Sequence, residues 1–123
     1  MKTEINTLLA LASQLPTGLH DPRALDKLEC ELEELKGAAI AGDHLGAAME
    51  AGDVGYYAIK AESNGLMNEA QRDKFIRYAA DFVDLEPEML LDCAIAKYEL
   101  RAIPGNPKDD AASRKAVALV LTA

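Results

Sequence analysis

Apolar residues return every three or four positions along most of the chain, and short proline and glycine clusters cut that rhythm into helix-length pieces. A period near 3.6 marks helices that bury one face. The breaks fall at Pro16–Gly18, Gly42, Gly65, Pro87 and Pro104–Pro107. A first helix is predicted over about 3–15, opened by Thr3, and a second over about 22–41, with Asp21 as cap and Pro22 at the first helical position. The third covers about 43–64, capped by Asp43 and stopped by Asn64-Gly65. A fourth, about 69–82, opens at Asn68, and a fifth, about 87–102, has Pro87 in its first turn. After the turn-rich "IPGNPKDD" a last helix, about 109–121, starts at Asp109 or Asp110. No two-residue alternation, repeat or low-complexity tract intervenes, so the expected class is all-α, a bundle of five to six helices in one domain over 1–123.

Composition narrows this picture. The chain has 123 residues, the size of one domain, and half are apolar, enough for a core. Aromatics make up 5% and alanine is abundant, which favours closely packed helices. A net charge of −8 without a basic stretch argues against nucleic acid as a partner. Phosphate ligands stay open if a metal ion carries the positive charge. Cys30 and Cys93, with no signal peptide before them, read as reduced thiols of a cytoplasmic protein. The apolar "INTLLALA" is too short to span a bilayer, so no membrane partner is expected. His20 and His44 stand alone, without zinc spacing, and read as surface or loop residues.

The chemistry gathers around "MEAGDVGYYAIK", an apolar stretch that nevertheless holds Glu50 and Asp53 three residues apart. Burying an unpaired carboxylate costs several kcal/mol or forces protonation. The preceding helix carries Glu31 and Glu34 at the same spacing, in "CELEEL". The linking "AGDHLG" is short, and short connections make antiparallel neighbours. Residues equidistant from Gly42 then lie opposite each other, so Glu34 should face Glu50 and Glu31 should face Asp53. At roughly 5 Å and an effective dielectric of about 20, each pair of carboxylates repels by about 3 kcal/mol. Hydration, protonation or a cation relieves that, and hard oxygen ligands select Mg²⁺, Mn²⁺ or Ca²⁺. Gly46, Ala47 and Gly52 would let this helix approach its neighbours closely. The plainer reading is a solvated acidic face, which is how Glu29 and Glu33 read.

"KLECELEEL" followed by "MEAGDVGYY" resembles the ExxE…ExxD signature of the MazG-like, all-α nucleoside triphosphate pyrophosphatases, a superfamily that includes dimeric dUTPases and phosphoribosyl-ATP pyrophosphatases. The resemblance is carried by about residues 25–60, more faintly to about 101. It implies that Glu31, Glu34, Glu50 and Asp53 bind Mg²⁺, with Mn²⁺ able to substitute, and serve catalysis. It also implies cleavage between the α- and β-phosphates to give a monophosphate and pyrophosphate. Many relatives carry doubled acids, EExxE and EExxD; here Cys30 and Met49 stand in those places. Such proteins often have a K-x-x-x-R pair on the helix after the hairpin, and "AKYELRA" supplies Lys97 and Arg101 as phosphate contacts. Where relatives often have Asn two residues before that lysine, this chain has Ile95.

From the residues alone, Lys97 and Arg101 equally suit a helix C-terminus, whose dipole favours cations. At 100° per residue, Lys60 and Asn64 each fall about 20° from Asp53, within reach of a phosphate or sugar. Lys60 could instead neutralise the acids and Asn64 cap the helix. Tyr56 and Tyr57 read as core, with base stacking as the alternative. Leu8, Leu11, Leu28, Leu32, Leu35, Phe75, Phe82, Leu90 and Ile95 read as core or subunit interface. The expectation is a Mg²⁺-dependent nucleoside triphosphate pyrophosphohydrolase that clears unwanted or excess nucleotides, in the cytoplasm, as a homodimer or homotetramer. The rivals are a dUTPase or phosphoribosyl-ATP pyrophosphatase, and an inert helical module for oligomerisation or regulation. A ferritin-like di-iron site is a weak third reading, because neither histidine follows a glutamate at the required spacing.

Overall fold

The computed structural model describes residues 1–105 and 109–123. They form six helices and, among the described residues, no strand: α1 (Lys2–Ser13), α2 (Ala24–Ile40), α3 (His44–Ser63), α4 (Glu69–Phe82), α5 (Pro87–Ala102) and α6 (Asp110–Leu121). Part of the "IPGNPKDD" turn, residues 106–108, lies outside the described residues.

Helix starts follow local chemistry. The Asp43 carboxylate accepts the Gly46 amide at 2.9 Å and caps α3. Asn68 and Gln71 exchange reciprocal hydrogen bonds in a capping box on α4. Pro87 opens α5, and Asp109 caps α6 through the Ala112 amide. Such caps are each worth about 1 kcal/mol. Two starts differ from expectation. α1 begins at Lys2, so Thr3 lies inside its first turn. α2 begins at Ala24, two residues later than Pro22, and its N-cap is Arg23 rather than Asp21. Asp21 instead accepts the Arg23 amide at 3.1 Å within the preceding turn, and its other oxygen is held by lysines.

α3 is the spine of the bundle: 14 of its 20 residues are buried, so every side of it has a neighbour. α2 folds back along it after the three-residue connection, and α4 and α5 cover its other sides. α1 packs on α5 and α3, and α6 closes the end against α5. Small residues permit this crowding. A Cβ on Gly52 would sit 3.3 Å from the Ala94 backbone nitrogen, and one on Gly55 3.0 Å from Leu90 and Leu91 methyl groups, so both glycines let α5 lie close. Gly46 works differently from the expected close helix approach: a Cβ there would strike the Asp43 carboxylate, so it clears space for the cap.

The core joins Leu8, Leu28, Leu35, Val54, Ile59, Ile76, Leu90 and Leu91, all at most 2% exposed. Of the residues read as core or subunit interface, Phe82 lies outside the core; it is exposed and leans on Tyr78, 6.1 Å between ring centres. Cys30 is exposed and Cys93 buried, both as free thiols. Arg114 grips the Asp43 carboxylate with both terminal nitrogens, at 2.9 and 3.2 Å, and so ties α6 to the α2–α3 turn. No helix among the described residues is long and apolar enough to cross a membrane.

Candidate metal centre

The fold-back of α2 on α3 brings Glu31, Glu50 and Asp53 together, with one carboxylate oxygen of each within 4.8 Å of the others. Glu34 lies outside that trio on the exposed edge of α2, near enough for its carboxylate to raise the pKa of both Glu31 and Glu50. Glu34 thus stands beside Glu50 and Glu31 beside Asp53, with half-buried Glu31 and Glu50 and buried Asp53 forming the tight trio and Glu34 at its rim. The helix turn supplies the physical reason: α2 presents Glu31 toward α3 and leaves Glu34 near solvent.

Burial, then Glu50 and Asp53, push the Glu31 carboxyl well above the ordinary carboxylate range. Burial also raises Glu50, aided by Glu34 and Asp53, while a hydrogen bond from Glu31 works the other way. Burial and crowding act together here, since adjacent carboxyls resist double ionisation. Even so, Glu31 Oε2 and Glu50 Oε2 are buried and lack a hydrogen-bond partner. Two orphaned oxygens aimed into a cluster of hard donors suit a divalent ion.

Asp53 differs from the two glutamates. Its Oδ2 accepts Lys97 Nζ at 2.6 Å and its Oδ1 accepts the Tyr98 hydroxyl at 2.9 Å. Lys97 is thus buried in an ion pair with the acids rather than standing free for phosphate. Lys60 also faces elsewhere than the acid trio. It pairs with Asp21 Oδ2 at 3.0 Å and donates to Thr17 Oγ1 at 3.3 Å, and it is 1% exposed. Asn64 accepts the Asp21 amide at 3.0 Å and donates to the Leu19 and Lys60 carbonyls, each at 2.7 Å. It pins the α1–α2 connection and has no spare donor for a sugar. Helical-wheel angles place Lys60 and Asn64 correctly on α3, but the loop before α2 reaches them first.

Arg101 forms no ion pair with a carboxylate among the described residues. Its Nε is buried and unpartnered, and its guanidinium lies 5.3 Å from the Tyr98 ring centre. It lines a cavity of about 280 Å³ with Lys60, Thr17, Pro16, Leu15, Tyr56, Tyr57 and Tyr98. Tyr56 and Tyr98 stack at 3.9 Å, and Tyr57 meets Tyr56 edge-on at 5.1 Å. Burial, then Tyr57 and Asp21, lift the Tyr56 hydroxyl pKa, and burial, then Asp53 and Glu31, lift that of Tyr57 to about 12, so both stay neutral donors. Tyr98 joins this cavity to the carboxylates. Sequence reasoning missed Tyr98 and the Asp21 anchor. Tyr98 carries no signal beyond its place beside Lys97, and Asp21 resembled an ordinary cap.

Compared with protein-family models, curated proteins and solved structures, the chain finds no match.

Proposed function

We propose that the chain is a Mg²⁺-dependent nucleoside triphosphate pyrophosphohydrolase, with Mn²⁺ able to replace Mg²⁺, which releases a nucleoside monophosphate and pyrophosphate and so clears unwanted or excess nucleotides. The observation that carries this is the convergence of Glu31, Glu50 and Asp53 beside a cavity lined by Arg101 and Lys60. The MazG-like signature on the same residues supports it. Glu31, Glu50 and Asp53 would hold the ion, with Glu34 at the rim. A bound divalent ion supplies charge neutralisation of the triphosphate and polarises the α-phosphorus. Arg101 offers its unpartnered Nε to a phosphate oxygen, in a pocket where tyrosine rings limit water. The attacking water would be activated by the ion or by one of the glutamates of the cluster. The reading places the protein in the cytoplasm as a homodimer or homotetramer, with neither nucleic acid nor membrane as partner.

A panel of NTPs, dNTPs and phosphoribosyl-ATP with Mg²⁺ tests this. Monophosphate and pyrophosphate in equal amounts are expected, and turnover confined to dUTP or phosphoribosyl-ATP identifies the sister chemistries. One observation favours an inert helical module instead: both Asp53 oxygens already have protein partners. No pyrophosphate from any substrate would establish that alternative.

A further inference from the structure

Asp53 already holds a cation. Its pair with Lys97 spans 2.6 Å between side chains only 5% and 8% exposed, while Tyr98 occupies the second oxygen. Glu31 and Glu50, by contrast, each keep a buried oxygen without a partner. A divalent ion drawing on all three carboxylates must use an Asp53 oxygen, and an ammonium in hydrogen-bond contact with that carboxylate would then face the ion at close range in a site shielded from water.

We infer that Lys97 is the resident counter-ion of this carboxylate trio, and that Asp53 holds either the Lys97 ammonium or a divalent ion, so that loading the site and freeing Lys97 are one event. The inference rests on the reading of Glu31, Glu50 and Asp53 as a metal centre. The Tyr98 hydroxyl is neutral and bonds the other oxygen, so it keeps Asp53 oriented in both states. Without an ion, the ammonium offsets charge that would otherwise be stranded in the bundle. With an ion, Lys97 gives up its carboxylate and becomes available to an anion. Lys97 therefore acts as a positioning residue in one state and a candidate phosphate contact in the other.

Amine acylation of the whole chain, read by peptide mass spectrometry with and without saturating Mn²⁺, tests the exchange. Lys97 should be protected without Mn²⁺ and several-fold more reactive with it. Lys60, paired with Asp21 away from the trio, should stay protected in both conditions. Mn²⁺ binding followed by electron paramagnetic resonance supplies a second measure: Lys97→Met should bind at least about tenfold more tightly than wild type, because no ammonium has to leave. Mn²⁺ bound while Lys97 stays protected, a parallel rise at Lys60, or unchanged affinity in a folded Lys97→Met would each overturn the exchange and leave the metal centre standing. No Mn²⁺ bound by wild type would overturn both. If Lys97→Met does not fold, the wild-type acylation pattern decides alone.

Discussion

Replacing Asp21 with asparagine keeps the shape of the turn before α2 and removes only its charge. Asp21 is 4% exposed and faces two ammonium groups, Lys27 at 2.8 Å and Lys60 at 3.0 Å. Burial pushes its pKa up, but the hydrogen bonds from Lys27 and Lys60 win and hold it at about 2, against an ordinary 3.8. At 1.36 kcal/mol per pKa unit, that gap corresponds to about 2–3 kcal/mol of folding stability at neutral pH. The folded value lies below the unfolded one, so the contribution is complete above about pH 5 and fades as pH falls through 4 toward 2. Asp21→Asn should thus be less stable by about 2–3 kcal/mol at pH 7, roughly 10 °C in melting temperature for a domain of this size. Lys27 can turn to water, but Lys60 cannot, and a stranded buried charge places the loss at the upper end. Urea unfolding followed by circular dichroism at pH 7, 4 and 2.5 gives the numbers. Equal stability at pH 7, or a deficit as large at pH 2.5 as at pH 7, would show that packing rather than charge holds this turn.

Four further outcomes are expected. Glu50→Gln should lower turnover at least about tenfold, or 1.4 kcal/mol of transition-state stabilisation, without loss of fold, and chelation should abolish wild-type activity until Mg²⁺ or Mn²⁺ returns; normal rates in either case would remove Glu50 or the metal from the mechanism. Mg²⁺ at a hundredfold excess over Kd should stabilise the protein by about 2.7 kcal/mol, more than matched sodium chloride does, and Glu34→Gln should shrink that gain while Glu33→Gln leaves it intact; equal responses in melting scans would take Glu34 off the rim of the site. Sedimentation should find a dimer or tetramer at micromolar concentration, and a fully active monomer would defeat that assignment.

Apart from Thr3, the local signals at helix starts read truly where a residue's near neighbours decide its role. Asp43, Asn68 and Asp109 begin helices because the amides they accept lie within three residues, and Pro87 because its fixed φ suits a first turn where no N–H is needed. The trio on α2 and α3 was legible for a related reason, since a three-residue connection leaves little freedom in how two helices meet. Asp21 misled because its partner Lys60 is far along the chain, and a cap-like residue gives no hint of a distant ammonium. The Asp53 triangle with Lys97 and Tyr98 depends on α5 settling against Gly52 and Gly55, which helical periodicity cannot foretell. Phe82 suited core or subunit interface equally at its helical spacing, and only the packed bundle shows that it lies outside the core of the single chain.

Asn64 also sets how this protein ages. Its side chain precedes Gly65, the context in which an asparagine amide most readily cyclises, because glycine offers no bulk against attack by its own nitrogen. In the folded chain both participants are occupied: the amide is bonded on three sides, and the Gly65 nitrogen donates to the Glu62 carbonyl at 3.0 Å. Unfolding releases them together. The carboxylate that deamidation leaves has no hydrogens for the Leu19 and Lys60 carbonyls, and it adds negative charge beside the Asp21 turn. Each excursion to the unfolded state thus exposes the chain to a covalent lesion at the joint that refolding must rebuild, so shelf life and thermodynamic stability are tied through one amide group.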